Sequence, residues 1–231
     1  MRLDKYLADI LNLSRTDAKK IIKQKKVSVN EEISTNTNLI IDEINDTIKV
    51  DNIKMEYKKY IYLMLNKPRG YLSATFDKSD HTVIELIPNN FKMKDLSIVG
   101  RLDKDTEGLL LLSNDGSFIH NLTSPKKHIS KKYYVEYSGT LKENACELVK
   151  EGINVDNEYT TLPGLLEPIN NNSAYITIYE GKFHQVKKMF EYLDTKVTYL
   201  KRVKIGNLEL SNLKMGETKE LTNEELEKLK G

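Results

Sequence analysis

The 231-residue chain has few of the residues that build disulfides, metal sites and membrane spans. Its one cysteine, Cys146, cannot form an intrachain disulfide and excludes a cysteine-rich metal site. The four histidines include none at the spacing of zinc ligands. No stretch approaches 18 consecutive apolar residues, and the first residues contain no apolar signal region. We therefore expect a soluble cytoplasmic protein with no bound metal.

The chain also has almost no excess of charge and no tryptophan. Its 36 Lys and Arg residues face 34 Asp and Glu residues, which leaves a net charge of +2. Overall charge therefore does not indicate a nucleic-acid partner, and only local clusters could. The hydrophobic content of 39% is typical of a packed core and argues against disorder.

The most informative stretch runs from residue 99 to residue 116, where a polar loop precedes four consecutive leucines. The leucines at 109–112 lie between Gly108 and the turn sequence Ser-Asn-Asp-Gly. This pattern predicts a short strand buried on both faces. The loop before it contains Asp103, and a loop held by a rigid strand suits a functional site. By composition alone, Asp103 fits a turn aspartate that bonds its own backbone.

The first 58 residues predict a small domain of helices followed by short strands. Leu3, Leu7 and Ile10 repeat with helical period, and Ser14 opens a second helix with a sequence similar to a capping box. One face of the second helix is basic and carries Arg15, Lys19, Lys20, Lys23, Lys25 and Lys26. Such a face is typical of a solvated surface as well as of a nucleic-acid contact. Residues 51–59 are polar and predict a linker, so we place the domain boundary near residue 58.

Residues 59–231 predict a larger second domain. A strand at 60–65 stops at Asn66-Lys67-Pro68-Arg69-Gly70, because proline cannot donate to a strand ladder. Thr140-x-x-Glu143 and Thr222-x-x-Glu225 have the pattern of capping boxes at helix starts. Strands are interspersed with helices without a strict βαβ rhythm, which indicates an α+β domain.

Five ordered motifs of this second domain resemble those of the pseudouridine synthases of the RsuA/RluB/RluE/RluF group. They are Asn66-Lys67-Pro68-x-Gly70, Gly100-Arg101-Leu102-Asp103-x-x-Thr106-x-Gly108, Lys131-x-Tyr133-x-Val135, Glu180-Gly181-x-x-His184-Gln185-Val186-Lys187-Lys188-Met189-Phe190, and Leu200-x-Arg202-x-x-Ile205-Gly206. The start of the chain resembles the S4 RNA-binding module, in Arg2-Leu3-Asp4-Lys5-Tyr6-Leu7, Ser14-Arg15-x-x-Ala18 and Val27-x-Val29-Asn30. The resemblance covers nearly the whole chain.

The resemblance implies an α+β architecture and a reaction. A small S4-like α/β RNA-binding module (1–58) would precede a catalytic domain (59–231) with a mixed, mostly antiparallel sheet flanked by helices. The reaction would isomerise uridine to pseudouridine in RNA. It breaks the C1′–N1 bond, turns the base and rejoins it through C5. It needs neither redox change nor net hydrolysis, so we expect no cofactor.

The resemblance also assigns roles to residues. Asp103 would be the catalytic carboxylate, Tyr133 would stack on the uracil, and Lys187 would pair with the aspartate. RNA contacts are expected from Arg2, Arg15, Lys19, Lys23, Lys67, Arg101, His184, Lys188, Arg202 and Lys204.

On the sequence alone, simpler structural interpretations of these residues remain open. Tyr133 shares a strand face with Val135 and could belong to the core. Lys187 could form a surface pair with Glu191 at i, i+4, worth about 0.3–0.5 kcal/mol. His184 could be an ordinary polar residue, and the basic turn at Lys67 could merely face solvent.

The likeness is strongest to the small-subunit branch of the group, through His81-Thr82-Val83 and Thr123-Ser124-Pro125. It implies one uridine of 16S rRNA as substrate, in an assembling small ribosomal subunit. We expect the protein to act as a monomer away from membranes.

Three other functions stay open. One is a large-subunit 23S rRNA enzyme, and another is an RNA-binding ribosome-assembly factor without activity. The third is a glycosidase that uses Asp103 with Asp105 or Asp115 as a carboxylate pair.

Overall fold

The computed structural model describes residues 1–92, 95–156, 158–210 and 212–229. Its contacts divide the chain into two units, Met1–Ile61 with Asn89–Leu96, and Tyr62–Pro88 with Ser97–Gly231. The boundary near residue 58 stays a prediction about separately folding domains. None of the described helices has the length and apolarity needed to cross a membrane.

The first unit contains two short helices and a small antiparallel sheet. Its elements are α1 (Leu3–Ile10), α2 (Arg15–Lys23), β1 (Val27–Val29), β2 (Glu32–Ile33), β3 (Ile48–Val50) and β4 (Ile53–Met55). The strands lie in the order β2-β1-β3-β4. A 3₁₀ turn at Asn89–Phe91 also belongs to this unit.

Apolar residues from both helices and the sheet form the core of the first unit. Leu7 of α1, Ile22 of α2 and Ile48 of β3 are fully buried in it. The Ser14 hydroxyl accepts a hydrogen bond from the Asp17 amide and starts α2, as its sequence predicts. With the apolar face of α2 turned inward, its lysines lie on the other side.

The predicted linker at residues 51–59 is wrong in its first half, which forms a hairpin. Asp51 and Asn52 have φ of 49° and 65° and connect β3 to β4. Aspartate and asparagine tolerate this left-handed conformation, which a two-residue hairpin turn requires. Ile53 then pairs with Val50, and Met55 pairs with Ile48.

The second unit is built around one large mixed sheet. The strands of the unit are β5 (Tyr62–Lys67), β6 (Ser97–Val99), β7 (Glu107–Ser113), β8 (Lys131–Gly139), β9 (Asn154–Val155), β10 (Tyr159–Thr160), β11 (Leu165–Asn170), β12 (Ser173–Ile178), β13 (Thr195–Ile205), β14 (Leu208–Glu209) and β15 (Thr218–Glu220). Of these, β9 and β10 pair with each other in a separate two-stranded sheet. Its helices are α3 (Gly116–Thr123), α4 (Ala145–Glu151), α5 (Gln185–Tyr192) and α6 (Asn223–Glu227). Two 3₁₀ turns lie at Val83–Leu86 and Pro125–Lys127.

The leucine-rich strand β7 lies inside this sheet, whose order is β11-β12-β8-β13-β7-β5-β15. It pairs in parallel with β13 and antiparallel with β5, whereas β8 pairs antiparallel with β12 and β13. The four leucines 109–112 are fully buried, which confirms the strand predicted from their sequence. The mixed, mostly antiparallel sheet with its helices confirms the α+β fold class.

The two predicted capping boxes have opposite outcomes. At the start of α6, the Thr222 side chain and the Glu225 side chain each bond the other's backbone amide, as predicted. The box at Thr140 and Glu143 is wrong, because α4 begins only at Ala145. The predicted first turn instead forms a separate turn, in which the Ala145 amide donates to the Lys142 carbonyl at 3.0 Å, and the Lys142 side chain donates to the Tyr192 carbonyl.

Candidate functional site

The loop before β7 is held against β13 by a close approach of two backbones. Gly108 has φ of +101°, and a Cβ at this position would lie 2.2 Å from the Arg202 carbonyl oxygen. Any larger residue would separate the two strands, so glycine is required here. The approach fixes the end of the loop that contains Asp103.

A buried lysine fixes the rest of the loop. The Lys67 ammonium lies 2.8–3.3 Å from the carbonyl oxygens of Pro68, Asp103, Lys104 and Thr106 and donates to them. Burial lowers the pKa of Lys67 to about 8, against the opposing effect of nearby carboxylates. Because the side chain is fully buried, the prediction that Lys67 contacts RNA is wrong, and its role is to shape the loop.

Further hydrogen bonds attach the same loop to the segment that follows β5. The Ser73 hydroxyl donates to the Leu102 carbonyl at 2.7 Å and accepts from the Leu102 amide at 3.1 Å. The Gly70 amide donates to the Lys104 carbonyl at 2.7 Å. The loop is therefore a rigid platform, and Asp103 is held at a defined position on it.

The carboxylate of Asp103 faces two basic side chains from the start of α5. Its Oδ2 lies 3.2 Å from Lys187 Nζ and 3.7 Å from His184 Nε2. Lys187 Nζ also lies 2.7 Å from Asp105 Oδ1, so two carboxylates share one ammonium. These contacts replace the alternative surface pair of Lys187 with Glu191.

The ion pair of Lys187 with Asp105 keeps the charge on both of these residues. Burial alone would lower the pKa of Lys187, but hydrogen bonds and charges from Asp105 and Asp103 raise it above its usual value. Burial alone would raise the pKa of Asp105, yet Lys187 holds it below its usual range. The site therefore contains a stable cation between two acidic side chains at neutral pH.

Tyr133 lies beside this cluster on β8, with only 6% of its surface exposed. It lines a cavity of about 680 Å³, together with Asp103, Lys131, Glu180 and others. The alternative that Tyr133 is simply a core residue fits its burial but not its place on the cavity wall. The cavity is large enough to receive one nucleotide.

The segment between β12 and α5 forms another part of the cavity wall. The Gln185 side chain donates to Glu180 Oε1 at 3.0 Å and accepts from the Lys182 amide at 3.0 Å. Beyond this anchor, the rings of Phe183 and His184 stack with centroids 3.8 Å apart. Phe183 is 70% exposed at the cavity mouth. Phe183 is not among the residues predicted from the motifs, although an aromatic residue inside a basic motif is a usable signal for RNA contact.

The remaining residues predicted to bind RNA in this unit differ in their surroundings. Arg101 is exposed and lines the cavity mouth. Lys188 forms an ion pair with Asp156 at 2.7 Å, and Lys204 lies 3.7 Å from Glu209. Arg202 is only 2% exposed but lines the cavity, so its predicted RNA contact stays a prediction that only a nucleotide inside the cavity could fulfil. Its Nε donates to the Leu109 carbonyl at 2.8 Å, beneath the cavity.

The first unit has its own basic cluster, organised by a buried carboxylate. Asp4 is fully buried and accepts hydrogen bonds from Arg2 and Arg15 at 2.8–3.1 Å. Burial alone would raise the pKa of Asp4, but these arginines hold it at about 2. Lys19 lies 3.9 Å from the same carboxylate, and Lys23 is exposed. Asp4 thus orients cationic side chains whose outer ends stay accessible.

The geometry distinguishes a carboxylate with a structural role from those that could act in catalysis. Asp115 caps α3, where its Oδ1 accepts from the amides of Ser117 and Phe118, and its Oδ2 accepts from the Tyr62 hydroxyl. Asp115 is therefore occupied structurally, which leaves Asp103 and Asp105 near the cavity. An acid held by a cation beside a buried tyrosine and a nucleotide-sized cavity can act on a base or sugar placed there.

Comparisons with known proteins agree with this geometry. The family model described as RNA pseudouridylate synthase matches residues 61–192, and the S4 domain model matches residues 1–48. A crystal structure of a pseudouridylate synthase is 37% identical, covers 99% of both chains and superposes with a TM-score of 0.70.

Curated relatives match over nearly their full lengths. The Uncharacterized RNA pseudouridine synthase YtzG of Bacillus subtilis is 39% identical over 98% of this chain and 97% of its own. The proteins named Ribosomal small subunit pseudouridine synthase A of Vibrio vulnificus and Escherichia coli are 38% and 36% identical, and each match covers 98% of both chains. The fold, the cavity and these matches together mean that the chain belongs to the RNA pseudouridylate synthase family and is an RNA pseudouridine synthase with an S4 domain in residues 1–48.

Proposed function

We propose that this protein converts one uridine of 16S rRNA to pseudouridine during assembly of the small ribosomal subunit. Relatives named for the small ribosomal subunit, 36–38% identical over nearly the whole chain, support the choice of rRNA. We also propose that residues 1–58 and 59–231 act as RNA-binding and catalytic domains, and that the protein works as a cytoplasmic monomer without a cofactor.

One observation carries the catalytic part of this proposal. The Asp103 carboxylate lines the same cavity as Tyr133, and Lys187 Nζ lies 3.2 Å from Asp103 Oδ2. A nucleotide flipped out of the RNA would present its ribose to Asp103 and its base to Tyr133. Lys187 keeps a positive charge beside the carboxylate and orients it, so we assign the three residues as the catalytic set.

In the proposed mechanism, Asp103 acts on the ribose, either by attack on C1′ or by removal of a sugar proton. On both routes the C1′–N1 bond breaks and its electron pair passes to the uracil. The base then turns against the ring of Tyr133 and bonds C1′ through C5. This step breaks the Asp103–C1′ bond on the first route, and Asp103 returns the proton to the sugar on the second. The C5 proton leaves and N1 gains a proton, so atoms and charge balance without a cofactor.

RNA would be held by cations and by one exposed aromatic ring. Arg2, Arg15, Lys19 and Lys23 of the first unit are suited to phosphate contacts, which supply affinity without reading sequence. Around the cavity, Arg101, His184 and Lys188 are candidates for the same task. The exposed ring of Phe183 offers a platform for an unpaired base beside the flipped uridine.

Pseudouridine mapping of rRNA from cells with and without the protein tests the substrate. Loss of pseudouridine at a single 16S position, restored by the wild-type gene, is the expected result. Loss at a 23S position instead would keep the enzyme class and overturn the substrate. An unchanged rRNA map would favour the assembly-factor alternative.

Asp103→Asn provides the matched test of mechanism, because it replaces one carboxylate oxygen by an NH2 group and changes the side-chain volume little. We expect normal folding and RNA binding but no restoration of the missing pseudouridine. Substantial turnover by this variant would remove Asp103 from its proposed role.

A further inference from the structure

The cavity floor contains two cations that the proposed catalytic set does not use, the buried Arg202 and the half-buried Lys131. Arg202 on β13 is the cross-strand partner of Tyr133 on β8, so these side chains share one face of the sheet. Lys131 lies two residues before Tyr133 on the same strand and therefore on the same face. All three line the cavity that Asp103 also lines.

These cations have little negative charge around them. Lys131 Nζ donates to the Ile129 carbonyl at 3.1 Å, and across the described parts of the chain neither cation has a carboxylate within ion-pair distance. Arg202 bonds the Leu109 carbonyl through Nε, and its Nη2 is buried without a partner. Burial and, to a smaller extent, the charge of Arg202 lower the pKa of Lys131 to about 8, against the opposing effect of Glu180.

The nearby carboxylate of Glu180 is already engaged. Its Oε1 accepts from the Leu162 amide at 2.9 Å and from the Gln185 side chain at 3.0 Å. It therefore stabilises the cavity wall and does not form an ion pair with Lys131. Buried charges without a partner are costly to a fold, and a negative ligand between them would relieve that cost.

The reaction assigned under the proposed function, on which this inference rests, generates such a negative charge. When the C1′–N1 bond breaks, its electron pair delocalises over N1, O2 and O4 of the uracil. We propose that Lys131, with Arg202 behind it, stabilises the detached uracil anion as a cationic floor of the cavity. Donors fixed in a water-poor site act most strongly on charge that develops in the transition state.

Lys131→Met tests the proposal, with Lys132→Met as matched control. Lys132 is the next residue of β8, points to the opposite face and pairs with Glu167 at 2.7 Å. In single-turnover reactions at saturating RNA, we expect Lys131→Met to lower the rate about 100-fold or more, with RNA affinity within about twofold. Lys132→Met should retain the wild-type rate, and Lys131→Arg should recover most of the loss.

Different outcomes would overturn the inference. A wild-type single-turnover rate in Lys131→Met would show that the ammonium does not act on the reaction. A loss confined to RNA affinity would make Lys131 a phosphate contact. If Lys131→Met fails to fold, two measurements still test the inference. Lys131→Arg retains the charge and should retain most of the rate, and the binding measurement below can be made on the wild-type protein.

A binding measurement separates this inference from the proposed function. 5-Nitrouracil ionises near neutral pH and mimics the detached uracil anion, whereas uracil stays neutral. Titrations by calorimetry should give tighter binding of 5-nitrouracil than of uracil to the wild-type protein and to Lys132→Met. In Lys131→Met, the ratio of the affinity for 5-nitrouracil to the affinity for uracil should fall at least tenfold. Equal binding of both compounds to the wild type would refute the cationic floor, whatever RNA the enzyme modifies.

Discussion

Lys187→Met removes the ammonium that faces Asp103 and Asp105 and keeps most of the side-chain volume. The variant leaves two neighbouring carboxylates with no cation between them, so Asp103 loses both its partner and its fixed orientation. We expect slower chemistry with little change in RNA affinity, because Lys187 is oriented toward the aspartates and is only 21% exposed.

The magnitude follows from the distances. Lys187 Nζ and Asp103 Oδ2 lie 3.2 Å apart, which corresponds to about 5 kcal/mol of attraction at an effective dielectric constant of about 20. The Asp103 side chain is 28% exposed and Lys187 is shared with Asp105, so solvent and the second carboxylate reduce this value. Charge-assisted hydrogen bonds contribute about 1.5–3 kcal/mol. A loss of about 2–3 kcal/mol lowers the rate about 30- to 160-fold.

The assay is a single-turnover rate at saturating RNA, with Lys132→Met as the control. Lys132 has an ion pair of the same 2.7 Å length as the Lys187–Asp105 pair, but it lies away from Asp103. Lys187→Arg should keep most of the activity, because it preserves the charge. A Lys187→Met rate equal to that of the wild type would refute the argument that this cation supports Asp103.

Three other changes test the Asp103 loop, the basic cluster of the first unit and the cavity mouth, respectively. Lys67→Met removes the buried ammonium that donates to the carbonyls of Pro68, Asp103, Lys104 and Thr106, and it should lower the free energy of unfolding by about 3 kcal/mol in urea titrations. Since the pKa of Lys67 is about 8 when folded and 10.5 ordinarily, the folded state loses its proton first. The contribution of Lys67 to the free energy of unfolding therefore rises between pH 8 and pH 10.5. The Lys67→Met variant should lack this part of the increase with pH. Asp4→Asn should lower the stability of the first unit by about 1–2 kcal/mol at pH 7, measured by hydrogen exchange in α1 and α2. The stabilisation by Asp4 is complete above pH 3.8 and is lost as pH falls toward 2, so wild type and variant should converge in acid. Phe183→Ala should weaken RNA binding by about 1–3 kcal/mol in filter binding. Phe76 is similarly exposed but does not line the cavity, so Phe76→Ala should leave RNA binding unchanged. Equal effects of the two substitutions would exclude stacking of a base on Phe183.

Local sequence was sufficient for elements whose structure depends on near neighbours. Four leucines between turn residues gave the buried strand β7, and Thr222 with Glu225 gave the start of α6. The same reasoning failed at Thr140, where residues 142–145 form a turn and the helix begins only at Ala145. It also failed at Ile53–Met55, where a polar segment forms an edge strand because the turn before it suits a hairpin.

The site divides in the same way between sequence and tertiary structure. The ordered motifs alone indicated Asp103, Tyr133 and Lys187, because the resemblance is carried by residue types at fixed spacing. Their sequence could not show that Lys187 is shared with Asp105, since that contact joins residues 82 positions apart. Nor could it distinguish a basic residue on the surface from one inside, because nothing in the sequence shows that strand pairing buries Lys67 and Arg202.

Sequence by itself thus determined the fold class, the family and the chemical type of the site. Those depend on hydrophobic periodicity and on which side chains are present in which order. The tertiary structure decided which charges meet and which are withdrawn from water. Parallel pairing of β13 with β7 brings Arg202 under the cavity, and the Lys67 ammonium holds the Asp103 loop in place. Such effects depend on distances and burial across the sheet, which spacing along the chain does not contain.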